Sequence, residues 1–177
     1  MSIYFFVYRD RWNRVVLVQL QVWKKASNSM IEKVENDTLM KAAVIHSVAW
    51  KASHNAICSE EFISIHTPER QKEYLSKIID DGAVIYMLSN DNKPVGIVSV
   101  HGDLIENLYV LPEEQNHGYG TQLIKYAIEK CSRNPKLWIL ENNFSARRLY
   151  ERIGFCVTGE KHQLSDTISE IEMIFAK

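Results

Sequence analysis

Two glycines two positions apart, Gly118 and Gly120 in the stretch "QNHGYG", stand where a strand-like run gives way to a helical one. A helix that begins after a glycine loop presents unpaired backbone amides and the positive end of its dipole, which suits a phosphate. Glycine lets the backbone approach such a group because no β-carbon intervenes. Spacing argues against two common phosphate loops. Gly120 is followed by Thr121 without the lysine of a nucleotide loop, and Gly118-Tyr119-Gly120 lacks the third glycine of a dinucleotide fingerprint and lies late in the chain. Other residues with chemical potential are Glu106 in an otherwise apolar run, Tyr150, and a stripe of His46, Trp50 and His54 at four-residue intervals. Helical spacing alone explains that stripe as packing.

Positioning these residues requires an alternating chain. "IEKVE" is strand-like, and Asp37 or Thr38 can cap a helix that carries Leu39, Ala43, Ile45, His46 and Trp50. Thr67-Pro68-Glu69 reads as a helix start, with the helix running through Tyr74, Leu75, Ile78 and Ile79 to a stop at Gly82. "AVIYMLS" and "PVGIVSV", joined by "NDNK", read as a hairpin, and "DLIENLYVL" as a third strand. In "LIENLYV", strict alternation puts Glu106 on the face of Leu104, Leu108 and Val110, with Asn107 opposite. Beyond the glycine loop, Leu123, Ile124, Ala127, Ile128 and Cys131 repeat at helical spacing. "KLWIL" is a strand, and "SARRLYERIG" is a helix with Ala146, Leu149, Tyr150 and Ile153 on one face; "FCVTGE" and "ISEIEMIFA" close the chain as strands. This order predicts an α/β protein of the α+β type, built on a mixed sheet rather than a doubly wound one.

Gln115-x-x-Gly118-x-Gly120, directly after a strand and a proline turn, resembles the acetyl-CoA loop of the GNAT superfamily of N-acetyltransferases, whose motif is Gln/Arg-x-x-Gly-x-Gly/Ala. The later segment "LWILENNFSARRLYERIGF" resembles that family's Asn-x-x-Ala-x-x-Phe/Leu-Tyr-x-x-x-Gly-Phe signature through Asn143, Ala146, Leu149, Tyr150, Gly154 and Phe155. In element order the resemblance covers residues 30–177. Residues 1–29 are left as a basic N-terminal extension in which "VVLVQLQVW" reads as a strand. The fold implied is the GNAT fold, a mixed, largely antiparallel central sheet splayed at the cofactor site and flanked by about four helices. The resemblance further implies acetyl-CoA as co-substrate. The amides of Gln115, Asn116, His117, Gly118, Tyr119, Gly120 and Thr121 would hold its pyrophosphate, and Leu108, Tyr109 and Val110 would run along its pantetheine arm. Asn143 would bond beside that arm, although a helix cap is an equally good reading.

The activity implied is transfer of an acetyl group to a primary amine by direct attack, with neither a metal nor an acyl-enzyme. An alkyl amine of pKa about 10.4 is neutral only about once in a few thousand molecules at pH 7, a handicap of roughly 4 to 5 kcal/mol. A thiolate leaving group with a parent pKa of about 8.5 is less demanding. By resemblance, Tyr150 is expected to act as general acid toward the thiolate, and Glu106, directly or through water, as base toward the amine. Trp50 and His54 would help shape the acceptor pocket, and Glu60 or Glu61 would attract a cationic amine. A reading from another class is a sensor or regulatory module that binds acyl-CoA without turnover.

The whole chain is compatible with this. Its 177 residues suffice for one well-cored domain, and a formal charge of −1 without a basic, aromatic-rich window argues against a nucleic-acid partner. The three cysteines, Cys58, Cys131 and Cys156, have neither disulfide nor zinc spacing. No apolar run approaches a membrane span, so no membrane partner and a cytoplasmic protein are expected. The acceptor's identity and any homodimer through edge strands are left open by the sequence.

Overall fold

The computed structural model describes residues 4–9, 15–20, 28–166 and 168–176. Strands β1 (Tyr4–Arg9) and β2 (Val15–Leu20) pair antiparallel as a two-stranded sheet of their own. The strand expected in "VVLVQLQVW" is thus met over its first six residues; residues 21–23, like much of the 1–29 extension, lie outside the described residues. The remaining elements are β3 (Ser29–Lys33), α1 (Leu39–His54), α2 (Glu60–Ser64), α3 (Pro68–Asp80), β4 (Val84–Asn90), β5 (Lys93–His101), β6 (Leu104–Val110), a 3-10 turn (Pro112–Glu114), α4 (Tyr119–Lys130), β7 (Lys136–Leu140), α5 (Phe144–Ile153), β8 (Phe155–Gln163) and β9 (Ser169–Phe175). Two elements were not anticipated, β1 and α2. Glu60 and Glu61 form the first turn of α2, where Ser59 Oγ accepts the Phe62 amide.

Strands β3 to β9 form a seven-stranded sheet in the order β3-β4-β5-β6-β7-β9-β8, antiparallel except where β6 meets β7. Local chemistry explains the boundaries. Thr67 Oγ1 accepts the Arg70 amide at 3.3 Å and Pro68 opens α3. The β4–β5 hairpin turns through Asp91 (φ 48°) and Asn92 (φ 64°), residue types that tolerate the left-handed region its tight turn needs. The sheet separates two interiors. On one face Ile85, Met87 and Ile97 pack with Leu39, Ala42, Ala43 and Ile45 of α1 and Leu75 of α3. On the other, Val98, Val100 and Ile105 pack with Leu123, Ile124 and Ala127 of α4 and Tyr150 of α5.

Two irregularities in β6 position the site. The β5–β6 register passes from Ile97↔Tyr109 to Ser99↔Glu106, so Asn107 and Leu108 together oppose Val98. This is a β-bulge, and Asn107 takes φ 47° within it. The extra residue reverses the alternation expected from the sequence. Glu106 is paired with Ser99 and Tyr109 with Ile97, which puts both on the α1/α3 face, while Leu108 and Val110 pack in the α4/α5 interior. Asn107 also points to the α1/α3 face, where its side chain bonds His46 and Tyr74. Glu106 therefore does not share a face with Leu108 and Val110. The second irregularity is a split: β6 and β7 have a single register pair, Leu104↔Lys136, and diverge beyond it.

Candidate active site

Helix α4 begins without a side-chain cap, since its N-cap is Gly118 at φ 85°. Asn116 is also left-handed, at φ 63°. Such reversals curl successive amides toward one side of the chain and create an anion-binding concavity. From Asn116 to Thr121, none of the six amides has a hydrogen-bond acceptor among the described residues. The loop itself is braced. Gln115 N donates to Pro112 O at 3.3 Å, Gln115 Nε2 lies 3.4 Å from Val110 O, and His117 Nδ1 donates to Glu114 O at 3.2 Å. The Tyr119 side chain is buried in the α4/α5 interior, so only its backbone faces the loop's task. An added β-carbon at Gly118 would meet nothing within 4 Å, and one at Gly120 would touch Leu149 at an ordinary 3.5 Å. These open amides at a helix start fit the pyrophosphate of coenzyme A.

Asn143 caps α5, its Oδ1 accepting the Ala146 amide at 3.1 Å. Its side-chain NH₂ has no acceptor among the described residues and stays available to a ligand. Asn142 and Phe144, its neighbours, line a hollow of about 390 Å³ together with Glu141, Arg147, Ile168 and Ser169.

On the α1/α3 face a second cleft of about 290 Å³ opens beside the bulge. His46 and Trp50 of α1 line it, with His66, Arg70, Gln71 and Tyr74 from the start of α3 and its approach, and Asn107 and Tyr109 from β6. His54 does not line it; its ring stacks behind Trp50 at 4.0 Å, while His66 stacks on the other face at 3.6 Å. Glu60 and Glu61 are exposed on α2 and also stand outside the lining.

One polar network runs beneath this cleft. His46 Nε2 and Asn107 Oδ1 are 3.1 Å apart, and Asn107 Nδ2 donates to Ser99 Oγ and to the Tyr74 hydroxyl, each at 3.1 Å. Because Oδ1 can only accept, His46 carries its proton on Nε2. Nδ1 of His46 is buried without a partner among the described residues. Burial lowers the His46 pKa to about 4, against a smaller upward pull from Asn107. Protonation would add an N–H with nothing to receive it, so the imidazole is neutral at pH 7.

Glu106 is half-buried, and burial raises its carboxyl above the ordinary range, with a smaller opposing effect of His101. Tyr150 is buried at 7% exposure, its phenol pushed up to about 12 by burial alone, and its hydroxyl has no hydrogen-bond partner among the described residues. Tyr109 connects the two sides: its phenol is raised first by burial and then by the phenols of Tyr74, in the cleft, and Tyr150, in the opposite interior. Sequence reading missed His66, Arg70 and Gln71. They lie among ordinary helix-start residues, and only the packing of α3 against α1 turns them toward β6.

A split sheet with an uncapped glycine helix start on one side and a polar cleft on the other is the architecture of an acyl-CoA-dependent transferase. Residues 47–155 match the acetyltransferase (GNAT) family, and the chain belongs to it. The protein from Mycobacterium tuberculosis described as "Probable N-acetyltransferase Rv2775" is 26% identical over 146 residues, spanning 76% of this chain and 84% of its own length. Peptidyl-lysine N-acetyltransferase YjaB of Salmonella typhimurium is 25% identical over 112 residues, 62% of this chain and 74% of that one. In fold, the chain is similar to the PaiA N-acetyltransferase of Thermoplasma acidophilum, solved in complex with coenzyme A, with a TM-score of 0.61 at 18% identity over 81% of this chain and 97% of that one. The GNAT fold and an acetyltransferase activity dependent on acetyl-CoA follow. Among the described residues no helix is long and apolar enough to cross a membrane.

Proposed function

We propose that the protein transfers an acetyl group from acetyl-CoA to a primary amine by direct attack within a ternary complex. The observation that carries this reading is the position of the split: β6 leaves β7 after Leu104, with the open amides of 116–121 at one end of the gap and the cleft on the adjoining face. Residues 116–121 bind the pyrophosphate through backbone N–H groups, the freed edge of Leu108, Tyr109 and Val110 pairs with the pantetheine arm, and Asn143 donates its free NH₂ beside it. The amine enters through the cleft lined by Trp50. Lysine side chains, the acceptor in the Salmonella relative's name, are one class of such amines.

The amine nitrogen attacks the thioester carbon, the carbon–sulfur bond breaks, one proton leaves nitrogen and one reaches sulfur. Glu106, with its carboxyl raised by burial, receives the amine proton through water. Tyr150 keeps its proton throughout the neutral range. Full transfer from a phenol of pKa about 12 to a thiolate of pKa about 8.5 would be uphill by roughly 5 kcal/mol. Tyr150 therefore acts first as a hydrogen-bond donor that stabilises the departing sulfur. Calorimetric titration with acetyl-CoA and CoA, followed by a thiol-release screen across amine classes, tests the reading. Binding with amine-dependent release supports it; binding without release from any amine supports an acyl-CoA sensor instead; absence of binding removes the assignment of the loop.

A further inference from the structure

The charge on the cleft lining is lopsided. Among the described residues, Arg70 is the lining's one residue with a fixed formal charge and His46 is held neutral, while the Glu106 carboxylate, outside the lining, acts on the Tyr74 phenol. The Arg70 guanidinium has no ion pair or hydrogen bond among the described residues, although it emerges from the first turn of α3, beside Glu69. Arg70 is exposed at the rim of the cleft, and a guanidinium without a protein partner there disfavours a second cation and matches a carboxylate with two parallel N–H donors.

The aromatic wall does not offset that preference. Trp50, the best ring for holding a cation over its face, has one face covered by His54 at 4.0 Å and the other by His66 at 3.6 Å. It offers the cleft an edge. His46 similarly occupies Tyr109 and Tyr74, with centroids at 4.8 and 5.5 Å. The volume, about 290 Å³, lies just below the roughly 300–1,000 Å³ common for small-molecule sites.

We propose that the acceptor is a small amine that also carries a carboxylate, a free amino acid in chemical terms. Arg70 binds the carboxylate from the α3 side, and the amine is directed to β6, where Glu106 faces the same side of the sheet. This deepens the transferase reading and rests on it. Arg70 is then the specificity-determining residue. A polyamine, an aminoglycoside or a lysine side chain within a peptide lacks the group it pairs with.

The test sets the standard L-amino acids against their carboxamides, a polyamine and an amidated lysine peptide, using acetyl-CoA-dependent thiol release by wild type, Arg70→Gln and Arg70→Lys. Acetyl-CoA affinity is measured for each protein by calorimetry. The expected result is a preference of wild type for at least one amino acid over its carboxamide by roughly tenfold or more in kcat/KM. Arg70→Gln abolishes that preference through KM, Arg70→Lys retains part of it, and acetyl-CoA affinity stays constant. Equal use of acid and carboxamide, or preference for the polyamine or peptide unchanged by Arg70→Gln, overturns the proposal and leaves the transferase standing. If no amine releases thiol although acetyl-CoA binds, the transferase reading fails. Amino-acid titration of the CoA complex then decides the carboxylate site: binding lost in Arg70→Gln supports it, and no binding by wild type overturns it.

Discussion

His46 Nε2 on α1 meets Asn107 Oδ1 on β6 at 3.1 Å, which fastens a helix to the one residue of that strand with a left-handed backbone. Ser99 and Tyr74 hold the same amide from two further sides. The bulge is thereby over-determined by side chains, as a sparsely populated conformation requires. Asn107→Gly should keep the backbone and lose the bonds, costing about 1–3 kcal/mol for the groups left unpaired. Asn107→Ala should cost about 1 kcal/mol more, because alanine disfavours positive φ. Denaturant titration of both variants checks this; equal stabilities would mean that the bulge relaxes when its clamp is removed.

The low pKa of His46 has a signed consequence for stability. With about 4 in the folded chain against 6.5 when unfolded, the unfolded state binds more protons between these values, so stability falls as pH drops through that window and levels off below it. The full effect is roughly 3 kcal/mol. His46→Gln can still donate to Asn107 but does not titrate. Its stability should fall less steeply than wild type from pH 6.5 to 4, measured by urea midpoints. Parallel curves would reject the buried, neutral imidazole.

Gly96 lies under the strand that bears the bulge. An added β-carbon would come within 2.9 Å of both Tyr109 O and Leu123 Cδ1 and 3.3 Å of Val110 Cγ2. The first contact is backbone and cannot swing aside. Gly96→Ala should destabilise by about 1–3 kcal/mol and weaken acetyl-CoA binding by displacing β6. Thermal unfolding and calorimetry of one sample measure both; a stable variant with normal affinity would show that β6 tolerates the shift.

The two loop glycines should behave differently. At Gly118 the obstacle to a side chain is conformational, so Gly118→Ala should cost about 1 kcal/mol of stability and reduce acetyl-CoA affinity as the amides turn. Gly120→Ala makes only an ordinary contact with Leu149 and should bind acetyl-CoA within about twofold of wild type. A reversed order of affinities would contradict the cradle described for 116–121.

Tyr150→Phe removes a hydroxyl with no protein partner among the described residues and should change stability by less than about 0.5 kcal/mol. Turnover should fall about 10²- to 10³-fold, as for loss of one donor to a developing charge, while acetyl-CoA affinity holds. Unchanged turnover across several pH values would remove Tyr150 from the chemistry.

Much of the fold was legible because its boundaries rest on local chemistry. Thr67-Pro68 starts a helix wherever it is met, and Asp91-Asn92 supplies the conformations of a tight hairpin. The position of the glycine loop between β6 and α4 was equally accessible. What escaped depends on registers. Alternation assumes one residue per pleat, and the extra residue at Asn107 moved Glu106 to the other face. The lining of the cleft combines positions 46–50, 66–74 and 107–109, which no spacing rule connects. Asn143 was read both as a cap and as a ligand-binding residue; its oxygen makes the cap, and its NH₂, without an acceptor among the described residues, is open to the second role.

The sheet between β4 and β6 stands between two interiors, one filled from α1 and α3, the other from α4 and α5, with Tyr109 as a link between them. Substitutions on opposite sides share few neighbours, so their stability effects should sum. Such a partition lets mutation explore new acceptors on one side at little risk to the half to which coenzyme A recognition is assigned. A family organised this way can diversify its chemistry of choice while inheriting its chemistry of transfer.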